Sequence, residues 1–586
     1  MRLTHHRLVP ALVASVMSVL FCPPALAQGM ARGDFNGDGY RDLAIGVPDE
    51  DITIKGVVVT DAGAVNVLYG GGANGLSSAG NELLHQGGPD IAGAAEADDR
   101  FGYAVASGDF NDDGYDDLAV GVPGQAVGGD AGAGALHVFY GSSMGLVGLS
   151  LAGGPLVTDV VWHRDSGSVL DTADSGDNFG WSLAAGNFNG DRYTDLAIGV
   201  PYDDAVQSNA GSVHVLHGFS SGLVASDQAG TGAVNENDQV WHQDVGAISN
   251  VAEPDDHFGW AVAVGDFNGD QYSDLAIGVP GESVGPGLDP AWNAGPQDAG
   301  AVVVLRGTSA GLTDIGNEIW QQATPTLVGL TDTAQAGDRF GHSLAAGDFN
   351  GDGCDDLAIG VPFEDDESSS LAIFADVGAI HVLYGVPNGA LQYGTDQFWH
   401  QDSVTADGAA GDSRDAGDAF GFSIAAGDLN GDGYADLVVG VPYEDLTTLF
   451  ATIVDAGAVN VFYGRENDGL SLAGTQVWHQ DSQSVADTVE AGDLFATSLA
   501  IGDFNGDACD DLAVGVPGEG ITSAGAFREH AGAVVVLHGS GPGLTATDDA
   551  GTAGVDENDQ FWHQNSANIA DTNERHDHFG GGRAGQ

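Results

Sequence analysis

A motif of alternating oxygen-bearing side chains recurs seven times along the chain, beginning at Asp34, Asp109, Asn187, Asp266, Asp348, Asp428 and Asp503, at intervals of 75 to 82 residues. Seven copies in register leave few folds open, because a repeated unit of this size must bury its apolar face against its neighbours. Each copy sits within a fixed order of landmarks. In the fifth they read "DRFGHSLAAGD", "FNGDGCDDLAIGVP", "VGAIHVLYG" and "DQFWHQD". The first is a strand of small residues, "DLAIGVP" a buried strand stopped by proline, "AIHVLYG" an alternating strand, and "QFWHQD" a fourth strand with a large aromatic. No segment shows a convincing 3.6-residue apolar period, and Gly-rich stretches such as "VPNGALQYG" supply turns. Four short antiparallel strands cannot cover both of their own faces. Arranged radially, such sheets form an all-β propeller.

The landmarks also test ring closure. Phe340 lies eight residues before Asp348, so the equivalent Phe-Gly pair before Asp34 would fall at residues 26 and 27. Instead "HDHFGG" places Phe579 and Gly580 just before the chain ends at Gln586. A further motif would begin near residue 587, which is 553 residues beyond Asp34, or seven units of 79. The expectation is a seven-bladed β-propeller of four-stranded antiparallel blades, closed by overlap of the N- and C-terminal segments so that no sheet edge stays free. Repeats start near 28, 99, 177, 256, 338, 418 and 493, with a closing segment at 577–586. There "GGRAGQ" departs from the "HSLAAGD" pattern, which predicts a weak closing strand.

Residues 1–27 read as a secretory signal. Arg2, His5, His6 and Arg7 make a basic start, "LVPALVASVMSVLF" an apolar core, and Ala25–Ala27 a small-residue cleavage site. Nothing later approaches the roughly 20 apolar residues of a membrane span. The mature chain from 28 to 586 keeps Cys354 and Cys509, which hold the same place in two non-adjacent repeats and are expected as free thiols. The chain carries 15 Lys and Arg against 85 Asp and Glu, a formal charge of -70, which excludes nucleic acid and anionic lipid as partners and favours cations. A surface with Lys55 as its one lysine also suits salty surroundings.

The acidic motif offers cation ligands. With Asp34 as position 1, the first copy presents Asp34, Asn36, Asp38 and Asp42 at positions 1, 3, 5 and 9, and Tyr40 at position 7 can add its backbone carbonyl. The second copy presents Asp109, Asn111, Asp113, Tyr115 and Asp117, and the third Asn187, Asn189, Asp191, Tyr193 and Asp195. The fourth has Asp266, Asn268, Asp270, Tyr272 and Asp274, and the fifth Asp348, Asn350, Asp352, Cys354 and Asp356. The sixth has Asp428, Asn430, Asp432, Tyr434 and Asp436, and the seventh Asp503, Asn505, Asp507, Cys509 and Asp511. Calcium takes six to eight oxygens at about 2.3–2.6 Å and tolerates irregular geometry, which alternating side chains on a tight loop can supply. Glycine at position 6 permits the turn. The pattern resembles the first half of an EF-hand loop, without flanking helices and with no Glu at position 12. Up to seven Ca²⁺ are expected. Asn187 replaces the first acid, and Arg192, Gln271 and Ala508 replace the position-6 glycine, so the sites at Asn187, Asp266 and Asp503 should be weaker.

With "FG…GD", the acidic loop and "GVP…GAV" in fixed order, the chain resembles the FG-GAP repeat family, the propeller of integrin alpha subunits. The resemblance spans about Gln28 to Gly580. It implies a seven-bladed propeller, calcium in the first inter-strand loops, and a role in adhesion or extracellular ligand binding. Integrin leg domains, membrane helix and cytoplasmic tail have no counterpart in this sequence, so a secreted, bacterial member is expected in place of a receptor subunit.

Other motifs are weighed against this. "RGD" at Arg32–Asp34 is an integrin-ligand signature, but Asp34 is already position 1 of a loop. "WHQD" and its kin recur at Trp162, Trp241, Trp320, Trp399, Trp478 and Trp562, with "LLHQG" at Leu84 in the first repeat. The six histidines of this set stand on six different blades and cannot converge, so the tryptophans are read as packing between blades. No catalytic constellation emerges. Connections between second and third strands vary most, from 9 residues between Pro201 and Gly211 to 19 between Pro280 and Gly300, where Trp292 sits. "FEDDESSSLAIFADV" and "YEDLTTLFATIVDA" in blades five and six are expected to form short hairpins. Variable loops on a rigid scaffold are where recognition sits. The reading is a secreted, monomeric calcium-binding propeller that binds an unidentified extracellular protein or glycan and is not an enzyme. The alternatives are a polysaccharide hydrolase or lyase with its site at the channel mouth, and a structural matrix component.

Overall fold

In the computed structural model each set of landmarks becomes one four-stranded antiparallel sheet, seven in all. The structure describes residues 29–581 apart from short interruptions, the longest at 147–158, 226–237, 285–295, 323–329, 366–374, 406–413 and 547–558. Blade 1 consists of strands Met30–Gly33, Asp42–Val47, Ala64–Tyr69 and Ser77–Leu84. Blade 5 repeats it with Ser343–Gly347, Asp356–Val361, Ala379–Leu383 and Gln397–Trp399. First strands of successive blades touch around the axis, and Met30–Gly33 lies between Val105–Gly108 of blade 2 and Leu499–Gly502 of blade 7. The ring is closed.

The second strands are buried along their whole length, as in Asp42–Val47 and Asp356–Val361, because neighbouring blades cover both faces. That is why "DLAIGV" reads as a continuous apolar run and not as an alternation. The core divides into seams, each built from two consecutive blades. Phe101, Val65 and Leu118 join blades 1 and 2, while Leu43, Val534 and Phe579 join blades 1 and 7. The "WHQD" tryptophans pack into these seams, as expected: Trp241 between blades 3 and 4, Trp320 between 4 and 5.

The Phe-Gly landmark is the hook between blades. Phe101 of blade 2 donates its N–H to Ala62 of blade 1 at 3.0 Å, and the Gly102 carbonyl lies across the second strand of blade 1. A Cβ on Gly46 would stand 2.0 Å from that oxygen, which explains the glycine of "GVP". The same approach recurs at Gly121, Gly278 and Gly515.

Closure is by overlap of the two terminal segments, as expected: the N-terminal segment supplies the first strand of blade 1, Met30–Gly33, and the C-terminal segment supplies the Phe-Gly hook among its described residues. Phe579 donates to Ala531 at 3.1 Å, as Phe101 does to Ala62, and the Gly580 carbonyl covers Gly515. Short-range polar links finish the joint: Arg41 N–H to the Asp503 carbonyl at 3.1 Å, and Leu76 N–H to Gln560 Oε1 at 3.0 Å. The predicted weak closing strand falls at 582–586, outside the described residues, as do residues 1–28 and Trp292. Blade 6 does carry a hairpin, Leu446–Thr447 with Thr452–Ile453. Blades 1 and 7 add Ile52–Ile54 with Val57–Val59 and Ile521–Ser523 with Ala526–Arg528. The apolar stretch of blade 5 lies outside the described residues. Cys354 and Cys509 are free. One short helix, Gln401–Thr405, occurs among the described residues, and no helix there is long and apolar enough to cross a membrane.

The hook yields a test. Gly121→Ala would drive a methyl to 2.0 Å from the Gly180 carbonyl oxygen. It is expected to remove about 3 kcal/mol or more of unfolding free energy, whereas Gly71→Ala in an open loop changes little, both measured by urea denaturation.

Candidate metal centres

Each acidic loop joins the first two strands of a blade, and its residues divide into three jobs. Positions 1, 3 and 5 fold the loop onto its own backbone. Asp34 accepts the N–H groups of Asp38 and Gly39, both at 3.0 Å; Asn36 accepts from Asp38 at 2.8 Å and Asp38 from Tyr40 at 3.0 Å. Asp348, Asn350 and Asp352 repeat this in blade 5, and Asp428, Asn430 and Asp432 in blade 6. Gly39, Gly114, Gly353 and Gly433 hold the left-handed turn at φ 92°, 89°, 87° and 90°, where glycine alone is unstrained. Gln271 and Ala508 occupy it at 73°. In blade 3 the polarity reverses, since Asn187 Nδ2 donates to the Asp191 carbonyl at 2.7 Å.

Position 7 works between blades. The ring of Tyr115 lies against Gly37 of the preceding loop, Tyr272 against Gly190, Tyr434 against Gly351, and Tyr40 against Gly506. Cys354 and Cys509 take that place against Gly269 and Gly431. Burial and the surrounding aspartates push their thiols up to about 12 and about 11, so they pack as inert side chains. The neighbouring position 8, which the sequence did not single out, completes the latch. Asp116 N–H donates to the Asp34 carbonyl at 3.0 Å while Asp34 N–H donates back to Asp116 Oδ2 at 2.8 Å. All seven loops share the backbone half of this bond, ending with Arg41 to Asp503. "RGD" is thus not presented: Asp34 is folded into its loop, and Arg32 Nη1 reaches the Ile501 carbonyl and stands 3.5 Å from Asp510.

Position 9 is the buried anchor. Asp42 is fully buried and accepts two backbone N–H groups, Phe35 at 2.8 Å and Gly70 at 2.9 Å. Asp117, Asp356 and Asp436 do the same. Desolvation by burial pushes these four carboxyls up to about 8, although both oxygens face donors that want them ionised.

In the other three blades the chain brings a basic side chain to this anchor. The residue closing the third strand is Tyr69, Tyr140, Tyr384 and Tyr463 in blades 1, 2, 5 and 6, but His217, Arg306 and His538 in blades 3, 4 and 7. Arg306 Nη1 donates to Asp274 Oδ2 at 2.7 Å; His217 and His538 place Nδ1 at 3.3 and 3.2 Å from Asp195 and Asp511. Burial still raises Asp274, but with Arg306 beside it only to about 6. The tyrosine hydroxyls point away, Tyr384 to Gln397 and Tyr463 to Gln476, both at 2.6 Å. The three blades with an internal basic group are those whose loops lack a consensus residue at position 1 or 6. The loop oxygens fit a hard cation in chemistry: carboxylates and amide carbonyls, with the position-3 oxygens of Asn111 and Asn268 buried and unpartnered. As arranged here, no three His, Cys, Asp or Glu side chains among the described residues converge on one metal position.

The opposite face holds a second set of buried acids that sequence reading missed. The glutamine of "WHQ" in one blade donates to a buried glutamate of the next, Gln243 to Glu282 at 2.7 Å, Gln322 to Glu364 at 2.6 Å and Gln480 to Glu519 at 2.8 Å. Burial drives Glu282 well up and Glu364 up to about 10, while neighbouring Asp256 and Asp338 rise to about 7. Where blade 2 has "WHRD", Arg164 supplies the charge, bonding Asp177, Asp171 and Asp203.

This geometry defines a seven-bladed propeller with a buried acid at the start of every second strand. The FG-GAP repeat profile matches residues 28–68, 101–139, 179–216, 258–305, 340–383, 420–462 and 495–537, about half of the chain. The protein belongs to the FG-GAP repeat family. It is 29% identical over 300 residues to integrin alpha-PS2 of Drosophila melanogaster, covering 51% of this chain and 17% of that protein. It is 32% identical over 190 residues to phosphatidylinositol-glycan-specific phospholipase D of Bos taurus, covering 32% of this chain and 19% of the relative. The match thus spans under a fifth of either relative. Both are animal proteins, and neither supports the expected bacterial source. Among solved structures, an exotype rhamnogalacturonan lyase superposes with a TM-score of 0.34 at 14% identity, over 84% of this chain and 70% of that one.

The glutamate seams predict a pH dependence. Carboxyls raised above their unfolded value of about 4 bind extra protons in the native state, so their stabilisation is present at low pH and is lost as pH climbs through the folded values. The double variant Glu282→Gln, Glu364→Gln, in saturating calcium, should lose less stability than wild type between pH 5 and pH 8 in urea unfolding. The gap should grow by up to about 1.4 kcal/mol per pH unit for each group titrating in that range; parallel curves would contradict the assignment.

Proposed function

We propose that the protein is a calcium-loaded, secreted propeller acting as an extracellular recognition module. The observation that carries it is the division of the loops. Four have a full acid set, a position-6 glycine and a neutral tyrosine beside the buried anchor; three have a defective loop and a basic residue in the tyrosine's place. Calcium belongs to the loops of blades 1, 2, 5 and 6, where Asp34, Asp109, Asp348, Asp428 and their partners would hold it, and not to all seven. Extracellular calcium modules bind at about 10⁻⁴–10⁻³ M, which suits filling outside a cell.

Recognition is assigned to the face opposite these loops. Hairpins of three consecutive blades, 6, 7 and 1, carry exposed apolar tips there: Val454, Phe527, Val57 and Val58, the last two 65% and 54% exposed. The axial channel holds a cavity of about 290 Å³ walled by Ser182, Ser343, Ser423, Ser498, Trp260, His342 and aliphatic side chains.

Calcium titration of the EGTA-stripped chain is expected to give four bound ions. Asp352→Ala in blade 5 should reduce this to three, whereas Asp507→Ala in blade 7 should leave four. Excess EGTA should lower the melting temperature. Seven ions, or none, would overturn the assignment. A ligand found by array screening of the calcium form should be lost on Val57→Ser with Phe527→Ser.

A further inference from the structure

Among the described residues, three histidine rings come together only at the closing seam. His530 precedes the third strand of blade 7, and His576 and His578 precede the C-terminal Phe-Gly hook. Their ring centres are 5.4 Å apart for His530 and His576, 6.2 Å for His530 and His578, and 6.0 Å for His576 and His578. We propose that His530, His576 and His578 form a binding site for a divalent transition metal of the zinc class, which staples the two ends of the propeller together.

Repeat symmetry shows that the cluster is particular to this joint. Backbone bonds define the equivalent positions, since His578 N–H donates to the His530 carbonyl as Arg339 does to Asp298 and His257 to Asn209. At those three positions the other six seams have Asp, Asn, Gly, Arg, Ala or Leu, with His257 as the one other histidine. The closing seam alone has three imidazoles, the ligand type that suits zinc, copper and nickel.

The scaffold under them is fixed. His576 N–H donates to the Glu529 carbonyl at 3.1 Å and Phe579 N–H to Ala531 at 3.1 Å, so the two segments are laced by main-chain bonds. All three histidines hold left-handed backbones, φ 53°, 70° and 53°, which a non-glycine residue adopts only under constraint. Two zinc–nitrogen bonds at a tetrahedral angle put ring centres roughly 5 Å apart; the His530 and His576 rings lie stacked at 22° between planes and the three do not yet converge on one point, so binding requires the rings to reorient about their side-chain torsions. His578 already has the supporting contact of a metal-bound imidazole. Its Nδ1 lies 2.9 Å from Oδ2 of the buried Asp49 in blade 1, which leaves Nε2 for an ion. A metal here would tie blade 7 to the C-terminal hook and, through Asp49, to blade 1.

The test uses the full chain in saturating calcium, so that the acidic loops do not compete. Cobalt(II) and zinc are the probes. One equivalent of cobalt should give the visible absorption of a nitrogen-ligated tetrahedral site, zinc should displace it at 1:1, and zinc should raise the melting temperature. His530→Asn with His576→Gly installs residues that other seams carry at the same backbone angles; it should fold as wild type without zinc and bind zinc at least 100-fold more weakly. Asp49→Asn should weaken binding by about 10–100-fold. Absence of a saturable 1:1 site, or zinc affinity unchanged in the double variant, would overturn the proposal.

Discussion

Every blade of this propeller starts its second strand on a buried aspartate that faces backbone N–H groups, and much of the structure is arranged around that residue. Asp42 and its six equivalents join the start of a second strand to the loop before it and to the turn after the third strand. The two donors favour an ionised carboxylate; burial opposes it. The chain brings Arg306 to this anchor in blade 4 and a histidine in blades 3 and 7. In blades 1, 2, 5 and 6 a tyrosine stands in that place, and the proposal is that loop calcium takes the role there.

The consequence reaches beyond single loops, because each loop is bonded to the next. Asp116 holds Asp34, Asp355 holds Asp266 and Asp510 holds Asp428. A loop fixed by charge therefore fixes its neighbour's orientation, and the latch runs unbroken from Asp34 round to Arg41 and Asp503. On the opposite face the same logic appears with different chemistry. Arg164 bonds the acids of one seam, whereas Glu282 and Glu364 lie against Asp256 and Asp338, where burial and the neighbouring carboxylate push them up. Propeller seams of this protein are polar joints set in apolar cores, and each joint solves its charge problem locally.

Much of the fold was legible in the sequence, for identifiable reasons. Phe340 and the glycine of "AIGVP" recur because the hook leaves no room for a Cβ at Gly360, and that constraint repeats in every blade. The acidic spacing was equally plain. What escaped were pairings between residues far apart in the chain. Arg306 looks like one variant letter in "LRG" until strand register sets it on Asp274, 32 residues away. Gln564 and Glu50 meet only because the ring closes. The Phe-Gly count located the closing hook at Phe579, while the strand it joins, Met30–Gly33, became visible only in the structure. Position 8 was passed over because its role is to grip the preceding loop, and no single repeat displays that.

The central claim is that a basic side chain of the chain itself and calcium are alternatives at one buried anchor. It is tested most directly by anomalous diffraction from crystals grown in millimolar calcium and collected where calcium scatters anomalously. The account predicts strong peaks in the loops starting at Asp34, Asp109, Asp348 and Asp428, with none at Asn187, Asp266 or Asp503. Equal peaks in all seven loops, or only water in the four, would contradict it.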